Sequence, residues 1–320
     1  MTSKSSHFPL GHTPQSLPSR LNSQVTAEAC RSCILEDLKG ALQLLDIPEE
    51  KRREITSTAE HFLTTEFNLH QPPSHFITAV HRELKRATGL AVPFAELRRA
   101  CNEVGLLLAE KLRRQLASMP QKEGFRLAVE WAIAANHLDF RTVGTGYGFA
   151  PDEIKEMLKA KLAKGFAVDE FDALWEIMRS VREVLYIPDN VGELAFDNIV
   201  LDYFRDFGCH TIVPYRGGPI TSDATLEDFE FLNTRAHSGE VICAGPDTLG
   251  ISLDEASDEL QAALQRAELI ITKGQANFYA MYAALRKLPG RIVCLFTCKC
   301  DVVANLFGLS GKINIIKVLK

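Results

Sequence analysis

Val184-Leu185-Tyr186-Ile187-Pro188-Asp189-Asn190-Val191-Gly192-Glu193 is the stretch on which the fold turns. An apolar run too short for a helix stops at a proline and passes at once into carboxylates, an amide and a glycine. That is the pattern of a buried strand emptying into a polar loop and then a helix. The same texture returns at Thr211–Tyr215, Val241–Ala244, Leu269–Thr272, Ile292–Phe296 and Ile313–Val318. Helical patterns about a dozen residues long begin between these runs, near Gly192, Thr225, Leu253, Ala276 and Asp301. Strand and helix alternating through short loops predict an α/β fold with a mostly parallel, doubly wound sheet over residues 186–320.

Upstream the period changes. Leu35, Leu38, Leu42 and Leu45, and then Leu97, Val104, Leu108 and Leu112, recur at helical spacing, so residues 25–185 are expected to form an α-helical bundle region. Pro48, Pro72-Pro73, Pro93, Pro120 and Pro151 punctuate it, each a helix start or stop. Residues 1–24 hold six Ser, three Pro and no acidic residue. They offer too little apolar surface to offset the entropy of ordering, and are expected to be a disordered tail.

Composition narrows the function classes. Apolar residues make up 46% and charged residues 24% of 320, which is globular and excludes collagen-like or low-complexity chains. Residues 186–320 carry 17 acidic side chains against 12 basic, while residues 1–185 are balanced at 24 each. A phosphate-backbone binder needs a basic excess, so nucleic acid is not an expected partner. No apolar run reaches the roughly 18 residues needed for a membrane span, and the N-terminus lacks a secretory pattern. Eight Cys in such a chain fit a reducing compartment, with the cytoplasm as the default.

A parallel sheet presents its ligand site outside the carboxyl ends of its strands. There the chain places Asp189, Asn190 and Glu193; Arg216, Gly217, Gly218 and Asp223; Gly245-Pro246-Asp247; Lys273, Gly274 and Asn277; and Thr297-Cys298-Lys299-Cys300. Asp189, Asn190 and Asp223 are the oxygen donors suited to a hard divalent cation, and Asp197 lies one helical turn beyond Glu193. Arg216 and Lys273, with Gly217, Gly218 and Gly274 allowing close backbone approach, supply an anion pocket suited to phosphate. Each fragment alone is ordinary turn or cap chemistry; it is their shared strand edge that raises them together. Walker A, G-x-G-x-x-G and G-x-S-x-G patterns are absent, and Gly144, Gly146 and Gly148 lack dinucleotide spacing.

Taken in order, Asp189-Asn190-Val191-Gly192-Glu193 with Asp197, Gly217-Gly218-Pro219-Ile220 with Asp223-Ala224-Thr225, and Lys273-Gly274-Gln275-Ala276-Asn277 resemble the metal-dependent damage-control phosphatase family, long catalogued as a domain of unknown function. Ala135-Asn136-His137-Leu138-Asp139 looks like that family's Gly-Asn-x-Ile-Asp segment, with Ala and Leu replacing Gly and Ile. Cys30-Arg31-Ser32-Cys33 and Lys299-Cys300 are similar to its cysteine-bearing microbial branch. The resemblance implies a Rossmann-like three-layer α/β/α domain behind a helical region. It further implies metal ligation by Asp189, Asn190 and Asp223, with Glu193, Lys273, Asn136 and Asp139 lining the substrate pocket. The implied activity is hydrolysis of a small phosphorylated metabolite, a sugar phosphate or phosphopantetheine-like compound, with Mn, Co, Ni or Mg as cofactor. The cation would polarise phosphate and water while Lys273 and Arg216 hold the equatorial oxygens. The competing readings are an S-adenosylmethionine-dependent methyltransferase, which the Asp-Asn-Val-Gly loop disfavours, and a non-catalytic metabolite-binding module.

Cys30, Cys33, Cys298 and Cys300 could furnish four thiolates for a second metal, or a redox pair, but the C-x-C spacing of the second pair is unusual. The simpler reading is structural, each thiol packing as a small hydrophobe. His137 is read as packing rather than ligating.

Overall fold

The computed structural model describes residues 25–138 and 151–320. The expected tail, Asp139 and the Gly144–Gly148 run lie outside them. The chain builds α1 (Glu28–Gln43), α2 (Glu49–Thr65), α3 (Pro73–Thr88), α4 (Ala95–Leu116), α5 (Gln121–Ala134), a 3-10 turn (Ala135–Leu138) and α6 (Pro151–Leu162). There follow β1 (Phe166–Asp169), α7 (Phe171–Ser180), β2 (Glu183–Ile187), α8 (Leu194–Asp206), β3 (His210–Tyr215), α9 (Leu226–Phe231), β4 (Glu240–Cys243), α10 (Asp258–Arg266), β5 (Leu269–Lys273), α11 (Gln275–Ala284), β6 (Arg291–Cys298), α12 (Asp301–Ala304) and β7 (Ile313–Val318). The punctuating prolines sit where their missing N–H costs nothing: Pro48 and Pro120 just ahead of α2 and α5, and Pro73 and Pro151 opening α3 and α6.

Seven strands form one sheet in the order β1-β7-β6-β5-β2-β3-β4, parallel throughout except for the antiparallel β6–β7 pair. Side chains alternate along each strand between two apolar layers, as the period of two requires. Val184, Tyr186, Leu269, Ile271 and Val293 face α4, α5, α7 and α8, whereas Leu185, Ile187, Ile270, Ile292 and Phe296 face α10, α11 and α12. The fold is therefore a three-layer α/β/α sandwich.

The helical region divides between two tasks. Helices α1–α3 form a separate cluster around Leu38, Leu42, Leu63, Phe76 and Leu84. Helices α4 and α5 instead contribute Leu108, Leu112, Phe125 and Val129 to the core that lies against the sheet. The expected boundary at residue 185 falls inside β2, and the sheet recruits Phe166–Asp169 from further upstream. That four-residue edge strand has only half-buried and exposed positions, so it offers no apolar run to notice. Helix α10 starts at Asp258, later than Leu253, because the Ser257 hydroxyl accepts the Leu260 N–H at 3.0 Å and fixes the N-cap there.

Candidate active site

The carboxyl ends of β2, β3 and β5 meet at one edge, and backbone contacts set the loops against each other. Asn190 and Asp223 form an isolated antiparallel bridge, Val191 N–H donates to Ser222 O at 2.8 Å, and Ala224 N–H donates to Asp189 O at 3.0 Å. The loops carrying the expected metal ligands, more than thirty residues apart in sequence, are thus neighbours. Ser222 Oγ donates to Asn190 Oδ1 at 2.7 Å across the same seam.

The Asp189 carboxylate accepts from Asn190 Nδ2 at 2.7 Å and from Asn136 Nδ2 at 2.8 Å. Both amides also reach Glu193 Oε2, at 3.2 and 3.0 Å. Gly274, with φ of 77°, is the one residue that tolerates this arrangement: an added Cβ would stand 1.9 Å from Asp189 Oδ2. It also lets Asp189 lie against the amino end of α11, where a negative charge is favoured. Asp223 has its own partners. Its carboxylate accepts from Arg216 Nε at 3.2 Å, from Gly250 N–H at 2.6 Å and from Thr221 Oγ1 at 3.2 Å.

Of the two buried cations, Lys273 is fully engaged by protein and Arg216 is engaged through Nε and Nη2. Lys273 Nζ donates to Glu193 Oε1 at 2.5 Å, Asp197 Oδ1 at 2.7 Å and Ala132 O at 3.0 Å. Those are all three of its protons. Arg216 binds Asp223, Pro188 O at 3.3 Å and Asn277 Oδ1 at 3.0 Å. The expectation that Lys273 reaches outward to phosphate is therefore corrected, since its three protons position carboxylates and a loop, while Arg216 binds the fold through three of its five N–H groups. Gly217 likewise closes a loop seam, donating its N–H to Gly245 O at 3.0 Å where a Cβ would come within 2.2 Å of the same oxygen. Gly218 lies beside Asp247, which is itself claimed by Arg82 and Lys85 of α3.

Burial sets the titration of the cluster. It raises the Asp197 carboxyl, and Glu193 adds to the effect against the pull of Lys273 and of Tyr186 OH, which donates at 2.6 Å; the result is about 6. For Lys273 burial opposes the charge, but Asp197 and Glu193 outweigh it and hold the ammonium above the usual lysine range. Tyr186, fully buried beside Asp197, is pushed well up.

Helix α4 supplies the scaffold that the sequence did not reveal. Arg98 donates to Thr221 O at 2.6 Å and Asp223 O at 3.0 Å, and pairs with Asp228. Asn102 accepts the Gly192 N–H at 2.8 Å and donates to Asp228 Oδ1 at 2.7 Å. An added Cβ on Gly105 would lie 2.2 Å from Gly192 O, so the helix backbone presses directly on the loop that follows β2. In the sequence Arg98 reads as one more solvated helix charge beside Arg99. Asn277, quoted within its motif without a role, joins Pro188 O and Lys273 O to Ile251 N–H.

The residues fit a hard divalent cation. The candidate donors Asp189, Asn190 and Asp223 are all oxygen ligands, the loops bearing them are seamed together, and Asn136 Oδ1 is a buried acceptor with no hydrogen-bond partner among the described residues. The set depends on an amide, since among the described residues no three His, Cys, Asp or Glu side chains are grouped to hold a metal. The cysteines are accordingly free thiols. Cys30 accepts from Ala27 N–H at 3.4 Å, buried Cys298 donates to Cys300 O at 3.2 Å, and Cys300 accepts from Gln275 at 3.6 Å, while Cys33 is exposed. Burial pushes the Cys298 thiol up to about 11 and, together with the nearby Cys300, raises Cys30.

Known proteins are similar to this chain in sequence, and one of them in structure. A damage-control phosphatase of Archaeoglobus fulgidus is 27% identical over 91% of this chain and 98% of its own length. Damage-control phosphatase PH1575 of Pyrococcus horikoshii is 29% identical over 86% and 92%, respectively. An uncharacterized Methanocaldococcus jannaschii protein, MJ0202, is 28% identical over 90% and 93%. The crystal structure of PH1575, described as a DUF89 family protein, superposes with a TM-score of 0.81 at 27% identity, covering 92% of this chain and 99% of that one. Residues 26–313 match the model of the damage-control phosphatase ARMT1-like domain, and the chain belongs to that family.

Proposed function

We propose that the protein is a divalent-metal-dependent phosphomonoester hydrolase acting on a small phosphorylated metabolite, with Asp189, Asn190 and Asp223 as the residues that would hold the cation. The observation that carries this reading is the seam between the 189–191 and 222–224 loops, which brings two carboxylates and an amide to one strand edge. Membership of a phosphatase family supports the reaction class. A bound dication would supply Lewis-acid polarisation of a phosphoryl oxygen and of water.

The chain's own residues do the positioning. Asn136, anchored through Nδ2 to Asp189 and Glu193, keeps a buried Oδ1 that has no partner among the described residues and could accept from a substrate hydroxyl or water. Glu193 orients both amides and is itself fixed by Lys273. Because these side chains are buried and mutually bonded, little reorganisation accompanies the reaction, the condition under which electrostatic stabilisation is most effective. The test is a panel of phosphorylated metabolites assayed with Mn, Co, Ni or Mg. Cation-dependent release of phosphate, abolished by chelation and by Asp189→Ala, is expected. Hydrolysis that survives both would place the chemistry elsewhere.

A further inference from the structure

Beside the strand edge lies a second concavity, of a different character. It has a volume of about 90 Å³ and is lined by His137, Lys161, Lys164, Lys312, Thr297 and Asn314, among others. That is far above the roughly 10–15 Å³ that admits one water. No carboxylate is among the described residues that line it. The lysines come from separate segments, the end of α6, the turn before β1 and the approach to β7, and none of the three forms an ion pair among the described residues. The floor is built: buried Asn314 donates to Gly165 O at 3.1 Å and Lys161 O at 3.3 Å and accepts from Thr297 Oγ1 at 3.0 Å, fixing the walls against one another. Bringing like charges together around a hollow costs repulsion that an anion would relieve. The field is evident at His137, where burial first and then Lys161, Lys299, Lys312 and Lys164 depress the imidazole to about 3.

Position gives the pocket its meaning. His137 directly follows Asn136, whose amide touches Asp189 and Glu193, and Thr297 lies near the end of β6, the strand that pairs with β5 and Lys273. At the strand edge Lys273 spends all its donors internally, whereas Lys161, Lys164 and Lys312 have no ion-pair partner among the described residues. We propose that this pocket binds a second anionic group of the substrate, a phosphate or carboxylate remote from the scissile phosphate, so that the preferred substrate is a doubly anionic phosphorylated metabolite. This specificity rests on the phosphatase reading; the existence of an anion site does not.

The test therefore has two arms. In the first, thermal denaturation of the full chain is followed with inorganic pyrophosphate or with citrate, in the presence of chelator, for the wild type and for Lys161→Gln/Lys164→Gln/Lys312→Gln. A ligand bound only by the native state raises Tm. The pocket predicts a concentration-dependent rise in Tm for the wild type that is lost in the triple variant, with the two anions separating phosphate from carboxylate preference. Equal shifts in both proteins, or none in either, overturn the site. In the second arm, KM is compared for a sugar bisphosphate and for p-nitrophenyl phosphate. The substitutions should raise the bisphosphate KM about tenfold relative to that of the simple ester, as expected for losing charge-assisted contacts. A proportional change for both esters, or a ratio moved less than twofold, contradicts the assignment. If neither ester is hydrolysed by the wild type, the phosphatase reading fails and the first arm alone decides the pocket.

Discussion

The strand-edge cluster and the lysine pocket next to it are built from similar residue types and solve opposite problems. In the cluster every buried cation is matched: Lys273 by Glu193 and Asp197, and Arg216 by Asp223. Around the pocket Lys161, Lys164 and Lys312 gather with no carboxylate among the described lining residues. A buried network in which each cation is paired fixes geometry, because any change of position leaves a charge uncompensated. An unneutralised, partly exposed group holds attraction in reserve for a ligand. The contrast separates residues that position from residues that recruit, a distinction that residue type alone does not make.

Breaking the cluster should have the largest effect. Lys273→Met leaves Glu193 and Asp197 buried without their counter-ion, which should cost about 3–5 kcal/mol of stability by denaturant unfolding, with loss of any cation-dependent activity. If Lys273 instead served chiefly as an open phosphate contact, stability would hardly change and KM alone would rise. On the pocket side the expected effect is smaller and depends on pH. Unfolded histidine takes its proton near pH 6.5, whereas His137 in the fold does so only near 3. The unfolded state therefore binds the proton first as pH falls, so the stability from neutral His137 is complete above pH 6.5 and drains away toward pH 3. His137→Gln should flatten that part of the stability profile. An unchanged slope would mean that burial and the lysines together do not hold the imidazole neutral.

Much of this was legible in the sequence, for identifiable reasons. Six of the seven strands announced themselves because buried parallel strands are continuous apolar runs, and the polar residues after them gave away the strand edge. β1 did not, since its four residues lie at the sheet margin and need no apolar run. Asp189, Asn190, Glu193 and Asp223 stand at the strand edge where their place in the sequence put them, but the internal pairing of Lys273 was not legible: a lysine after a strand looks the same whether its protons meet carboxylates within the fold or a ligand outside it. Arg98 and Asn102 lie about a hundred residues before the loops they brace, a separation that no local pattern bridges. For the thiols, the simpler reading of the sequence is structural; Cys300 lies near enough to Cys30 and Cys33 to raise both, but no three metal-ligating side chains are grouped among the described residues.

The central claim is that Asp189, Asn190 and Asp223, brought together by the seam of two loops, bind one divalent cation. Titration of Mn²⁺ into the chelator-treated protein, following the free-ion signal by electron paramagnetic resonance, tests it most directly. The account predicts about one tightly held ion per chain, lost in Asp189→Asn and equally in Asp223→Asn, with both variants still folded by circular dichroism. Wild-type uptake in either folded variant would show that the two loops do not share an ion.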